Sequence, residues 1–548
     1  MKKLLSAILA VSLLFSVAAC GNESEKQASG PSFSPTEPRE RVTLSIGMPY
    51  NSKIQSFEDN ALTHWVEEQC DVDLEFVIYS GNCDISAEAA KNLMYQPQPD
   101  ILYGVSINKA RIPEYGRDGV LQDLTPYFED RDGASKVFWE RMDQCLSEED
   151  QTYVLSKITD TDTGKIYGVP TIKTYISKDR PYQPWINQVW LDQLGLEMPQ
   201  NTNALYETLK AFKEAAPAGD STIPLFGSEK AGGGASVVDW IINMFIYYNP
   251  DRPWQDYNGD GQVELVYTQD AYRDALKFLN RLYRERLLSS MLYLASGNDM
   301  QGITTPESGE TMCGIFCGDL TSHTAEGNET LYEYAPMPLW GYAVEEDFYC
   351  ILRSFVTRDC ENVDRAFEVL MALWSREGTM RVRYGEYGEN WTDADPGAVS
   401  AMGYPAEYKV ISDPLSEVNS VHWGTVASGL FENDNGETAQ MPAGMGTWFA
   451  RKGQLEADSR ANFDEAQKNN PENLCPPLSY TVEEQEKIDE INTNINHLVS
   501  KRKMAYITGI DGDIHNDDDW NAFLQTLKDA GIAEYTQIVQ TAYERQKG

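Results

Sequence analysis

One stretch of this 548-residue chain has the spacing for metal chemistry: Asp256-Tyr257-Asn258-Gly259-Asp260-Gly261-Gln262-Val263-Glu264. Asp256, Asn258 and Asp260 supply oxygen at positions 1, 3 and 5 of an EF-hand loop. Glycine follows at 6 and an apolar residue at 8. Gln262 and Glu264 complete the candidate calcium ligands. Position 12, normally a bidentate Glu, is Tyr267, so affinity should be weak, about 10⁻⁴–10⁻³ M. The competing reading is an Asn-Gly/Asp-Gly turn between two strands.

Other reactive constellations are missing. There is no Gly-x-Ser-x-Gly, His-Glu-x-x-His, phosphate-binding glycine loop or dinucleotide fingerprint. The histidines (His64, His323, His422, His497 and His515) are dispersed, with no nucleophile beside them. Cys313, Cys317 and His323 lack a second ligand pair at zinc spacing. With 85 acidic residues some carboxylates must lie close together, but a glycosidase needs two at a defined separation. The chain reads as a non-enzyme with no required cofactor, calcium being the one candidate ion.

The amino terminus says where the chain works. Lys2 and Lys3 precede an apolar run from Leu4 to Ala19, which ends in Val17-Ala18-Ala19-Cys20. This is the pattern of a secretory signal peptide over 1–20. The ending resembles a lipobox, which implies lipidation of Cys20; an uncut signal anchor is the other reading. Residues 21–40 are rich in Ser, Glu, Gly, Pro and Lys and read as a flexible tether. No later run is apolar enough to span a bilayer. The expected location is the outer face of the cell membrane, held by lipid.

A formal net charge of −40 argues against nucleic acid and against anionic lipid surfaces, since phosphate binding needs a basic face. The 30 Tyr and 12 Trp suit a protein that stacks rings on sugars or bases, as well as a large core. Nine cysteines are scattered, and their spacing assigns no disulfide partners.

The elements beneath these candidates alternate between strand and helix. Val42, Leu44 and Ile46 alternate, as do Val72, Leu74, Phe76 and Ile78, with a helix pattern at Leu62, Trp65 and Val66 between them. Pro99 to Gly104 reads as a short buried strand and loop. Helices are expected from a Thr268 cap, across Phe367, Leu370, Met371 and Trp374, and after an Asp517-Asp518-Asp519 cap, with Gly531 ending the last of these. The class is α/β, with helices packed on sheets.

Several motifs in order resemble the family 1 extracellular solute-binding lipoproteins of bacterial carbohydrate importers, in their long Gram-positive form. They are Gln98-Pro99-Asp100-Ile101, Gly119 to Tyr127 (GVLQDLTPY), Gly164 to Pro170 (GKIYGVP), Asn187 to Leu196 (NQVWLDQLGL) and Leu209 to Lys213. Tyr506-Ile507-Thr508-Gly509 and the segment from Trp520 continue the likeness. The resemblance implies a type II periplasmic-binding-protein-like fold, with two discontinuous α/β lobes joined by a hinge. One lobe would hold 41–170 plus about 341–420, the other 171–340 plus about 421–548. The first crossing is expected near Pro170 to Trp185 and the second near Tyr334 to Tyr342, with the return between Trp391 and Trp423.

The implied function is capture of an oligosaccharide in the interlobe cleft and delivery to ABC importer membrane subunits, by a monomer. A peptide or other small solute is the alternative ligand, and a lipid-anchored polysaccharide-processing enzyme the rival class. Ligands sit beyond the carboxyl ends of strands in such sheets. The candidate platforms are therefore Tyr50, Tyr103, Trp240, Trp340, Trp391 and Trp423, at least two of them facing the cleft. Closure of the lobes on the ligand would be the working motion, against a rigid preformed cleft as the alternative.

Overall fold

The computed structural model describes residues 39–79, 97–107, 111–160, 163–173, 181–232, 234–325, 328–344, 349–400, 404–412, 418–424, 427–431, 438–440, 446–476, 478 and 480–547. The signal peptide, Cys20 and nearly all of the tether lie outside these residues. Arg39, the first described residue, makes a two-pronged ion pair with Glu368 at 2.8 and 2.9 Å.

The first sheet has six strands in the order β14-β4-β11-β3-β1-β2. They are β1 (Val42–Pro49), β2 (Val72–Tyr79), β3 (Ile101–Tyr103), β4 (Val169–Lys173), β11 (Tyr349–Val356) and β14 (Gly429–Phe431). Five run parallel and β11 runs against them. The second sheet has the order β10-β5-β9-β6, from β5 (Pro184–Asn187), β6 (Ile223–Phe226), β9 (Cys313–Cys317) and β10 (Tyr334–Pro336). A hairpin of β7 (Trp254–Gln255) and β8 (Glu264–Leu265) and a small sheet of β12 (Trp391–Asp393), β13 (Tyr408–Val410) and β15 (Ala439–Gln440) complete the set.

Each main sheet has its own core. Leu44, Ile46, Phe138, Phe367, Trp374 and Trp423 bury around the six-stranded sheet. Trp240, Trp254, Leu276, Leu279, Tyr506 and Trp520 bury beside the four-stranded one. These separate cores make two lobes.

Local chemistry sets the helix ends, at two places one or two residues from the sequence expectation. The helix Asp270–Arg284 has Gln269, not Thr268, at its N-cap position and no side-chain cap there, the Thr268 hydroxyl turning back to the Leu265 carbonyl in a 3₁₀ turn. Asn516, not the aspartate run, caps Asp517–Asp529: its side chain accepts from the N–H groups of Asp518 and Asp519. The three aspartates then occupy the first turn, where negative charge meets the positive end of the helix dipole. β14 belongs to the first sheet although it lies past the return expected near 421. A three-residue strand carries too little periodic signal to mark that boundary.

Candidate functional site: the facing edges of two sheets

The chain passes between the lobes three times, always at the same edge of each sheet. It leaves the first sheet after Lys173, at the carboxyl end of β4, and enters the second at Pro184. It returns from Pro336 to Tyr349, and crosses last after β14 and β15 to the helix Gly446–Gln467, which packs on β10. The register places Pro336 beside Trp185, and Cys317 beside Pro184. One edge therefore gathers the carboxyl ends of β1, β2, β3, β4 and β14. Facing it are the loops after β6, β9 and β10. This is the position at which open α/β sheets hold ligands.

On the first lobe, Tyr50 follows β1 directly and is 61% exposed, while its backbone N–H stays tied to the Tyr79 carbonyl at 2.8 Å. On the second lobe a glycine-rich turn, 227–236, caps the end of β6. A close approach explains Gly234 of this turn, and another explains Gly318, which follows β9. A Cβ on Gly234, at φ +69°, would sit 2.9 Å from the Tyr182 nitrogen. A Cβ on Gly318 would sit 2.3 Å from the His323 Nδ1. Tyr182, at the end of the first crossing, itself adopts φ +61°, a left-handed conformation that costs a non-glycine residue about 1 kcal/mol or more. His323 is fully buried, with Nδ1 3.1 Å from the Asp319 carbonyl, and burial pushes its pKa below the ordinary value.

Beneath this turn lies a buried charge cluster that sequence reading did not find. Lys503 Nζ, on the helix Val482–Thr508, is 3.2 Å from Asp239 Oδ1 and 3.4 Å from Glu229 Oε2. The Ser236 hydroxyl donates to Glu229 Oε1 at 2.7 Å. Burial acts to lower Lys503, but Asp239 and Glu229 outweigh it and hold the ammonium well above the usual lysine range. Burial also raises Glu229, against the pull of Lys503. The partners lie 264 and 274 residues apart in sequence, too far for any local pattern to link them.

The candidate platforms separate by burial. Tyr103 and Trp423 are wholly buried and meet edge to face at 5.4 Å. The Trp423 indole donates to Thr63 Oγ1 at 2.8 Å, so neither ring offers a face to a ligand here. Trp391 is buried in the small sheet, with its indole N–H on the Gly385 carbonyl. Trp240 is buried in the second core, 6.5 Å from the ring of Trp340. Trp340 differs: it is only partly buried, in the stretch after β10, and its buried Nε1 has no hydrogen-bond partner among the described residues. A buried donor left empty costs about 1–3 kcal/mol. Tyr50 and Trp340 thus stand apart from the other four, one on each lobe.

The Asp256 loop joins β7 to β8. Asp256 is buried, and its oxygens accept from the N–H groups of Asp260 and Gly261 at 3.1 and 3.0 Å. Asp260 Oδ1 accepts from Gln262 N, and Asn258 Nδ2 donates to Glu264 Oε2 at 2.8 Å across the loop. Gly261 takes φ +85° at the bend. Tyr267 is buried in the core, so position 12 supplies no ligand. The residues thus include both a hairpin turn and a partial calcium set. Cys313 and Cys317 do not converge on His323: their thiols turn to the carbonyls of Ile315 and Gly234. Among the described residues no cluster of three or more His, Cys, Asp or Glu is arranged to hold a metal. Seven described cysteines are free thiols.

No family model matches the chain. It is 21% identical to the fructooligosaccharide ABC transporter substrate-binding protein FusA of Streptococcus pneumoniae, across 98% of this chain and 97% of that one. The structure of FusA in complex with kestose superposes with a TM-score of 0.70 at 18% identity, covering 92% of this chain and 99% of that chain. An EF-hand mutant of FusA in complex with fructo-nystose gives 0.69 at 17% identity over the same shares. A solute-binding protein of Bifidobacterium longum infantis, described as HMO-binding and ABC-transporter associated, gives 0.71 at 18% identity, again over 92% and 99%.

Proposed function

We propose that this chain, a homologue of a sugar ABC transporter's substrate-binding protein with the two-lobe solute-binding fold, captures an oligosaccharide between its lobes. It hands the sugar unchanged to the membrane subunits of an importer. Cys20 carries the lipid that holds it outside the cell, and the tether gives it reach. The protein works as a monomer and performs no chemistry on its ligand.

One observation carries the reading. Three crossings set two sheet edges against each other, with exposed Tyr50 on one lobe and the partly buried Trp340 in the stretch after β10 on the other. Such a cleft offers aromatic area and a few orienting polar groups, which is what a polyhydroxylated ring needs. The lobes close because a ligand touching both has complete contacts only in the closed state.

Calcium belongs to this proposal as a clip on the β7–β8 hairpin. Asp256, Asn258, Asp260, Gln262 and Glu264 would hold it, with FusA, for which an EF-hand mutant exists, as the supporting relative. The loop is tied to the C-terminal helix by Gln540, which donates to the Gly261 carbonyl at 2.9 Å and accepts from Val263 N at 2.8 Å. Bound calcium would supply fixed positive charge that draws the loop's oxygens together.

A thermal-shift screen of sugars, peptides and amino acids on the mature chain, with product analysis, tests the function. The reading expects stabilisation by sugars that are recovered intact. Stabilisation by peptides alone, or cleavage of the sugar, would overturn it.

A further inference from the structure

We infer that the six-stranded lobe carries a second saccharide site of its own, a polar pocket that takes a short neutral glycan without help from the other lobe. The inference rests on the reading of this chain as a saccharide receptor.

The pocket lies between the amino-terminal half of the helix Ala61–Cys70 and the helix Arg376–Tyr384. Its volume is about 660 Å³, and every lining residue comes from the six-stranded lobe. Small-molecule sites span roughly 300–1,000 Å³, so the space suits a short oligosaccharide. Its walls are pinned by backbone. Gln55 N donates to the Asn419 carbonyl at 2.8 Å and Ala61 N to the Ser420 carbonyl at 2.9 Å. Ser56 N reaches the Ser420 hydroxyl at 3.2 Å, and Asn60 Nδ2 the His422 carbonyl at 2.9 Å. Segments 55–61 and 419–422, distant in sequence, are thereby held as one rigid wall.

The lining chemistry selects the ligand class. Trp65 is partly buried and supplies an aromatic surface, with the Arg381 guanidinium over its ring at 5.2 Å. Arg381 is itself held by Glu377 at 3.0 Å. Gln55, Glu68 and Glu386 line the same space, and their side chains make no hydrogen bond or ion pair among the described residues. Sugar hydroxyls are donors that suit these free acceptors, and the C–H face of a sugar ring suits the indole. An apolar ligand would strand the polar groups. An anionic sugar would meet Asp59, Glu68 and Glu386, with the one arginine already paired. A neutral glycan remains.

Because the pocket belongs to a single lobe, its occupancy needs no closure and shifts no hinge equilibrium. It would keep a long glycan near the cleft by raising its local concentration.

Tryptophan indole N–H resonances of the full mature chain test this, with Trp65 and Trp340 assigned from Trp65→Phe and Trp340→Phe. The probes are the neutral trisaccharides kestose, maltotriose and raffinose, and trigalacturonate as the anionic control. At least one neutral probe should move the Trp65 signal at millimolar concentration, and trigalacturonate should not. The Trp65 midpoint should be unchanged in Trp340→Ala, and should rise about tenfold in Glu386→Gln, the effect of weakening one charged hydrogen bond. A sugar that moves Trp340 while Trp65 stays fixed would overturn the second site and leave the cleft reading standing. A Trp65 midpoint that follows the Trp340 variant, or an equal response to trigalacturonate, would also overturn it. Silence of both signals to every sugar would sink both readings.

Discussion

Replacing Lys503 with methionine should destabilise the second lobe more than any surface change, and acid should partly reverse the loss. The wild-type ammonium sits 3.2 and 3.4 Å from two carboxylates, and the three side chains are 10–14% exposed. Removing one member of a buried charge group costs about 3–5 kcal/mol, because the remaining charges keep their desolvation cost without compensation. For a lobe of this size that corresponds to roughly 10 °C in melting temperature. The pH dependence follows from Glu229, whose folded pKa is already raised by burial and loses its main opposing attraction when Lys503 goes. A carboxyl raised in the folded state contributes stability below its unfolded pKa and loses it as pH rises through the folded value. The deficit of Lys503→Met should therefore be largest near pH 7.5 and shrink towards pH 5. Calorimetry of variant and wild type across that range measures it. A loss below about 1 kcal/mol at pH 7.5, or one that is constant with pH, would refute the account of this cluster.

Trp340→Ala should weaken the binding of a confirmed sugar by about thirtyfold, the scale of a central aromatic anchor, while Tyr103→Phe should leave it unchanged because that ring is buried in its own lobe. Isothermal titration separates the two. Millimolar calcium should raise the melting temperature, and Asp260→Ala should abolish the gain; no effect at millimolar calcium would leave a plain hairpin turn. Reductant should not alter the melting temperature, since the seven described cysteines carry free thiols; a clear drop would reveal a disulfide that contributes stability.

What the sequence displays depends on how local the cause is. β1 and β2 are legible from two-residue alternation, and Val363–Trp374 from its apolar stripe, because neighbours in sequence create those signals. The short β14 is not legible, since its place is set by pairing with β4, more than 250 residues earlier. Aromatic residues near strand ends give the right neighbourhood but not the exposure. Tyr103 and Trp423 bury because Phe76 and Thr63 close over the same space, a tertiary fact. The Lys503 cluster and the lobe-one pocket are assembled from distant segments, so neither leaves a motif. Glycines are the partial exception. Gly232 and Gly234 mark a tight turn in the sequence, although the reason for Gly234, the approach of Tyr182, appears only in three dimensions.

The most direct test of the central claim is small-angle scattering of the mature chain with and without a saturating sugar found in the thermal screen. Capture between two hinged lobes predicts a smaller radius of gyration in the bound state, lost again in Trp340→Ala at the same sugar concentration when that concentration lies below the variant's weakened dissociation constant. An unchanged radius at full saturation of the wild type would contradict capture by closure.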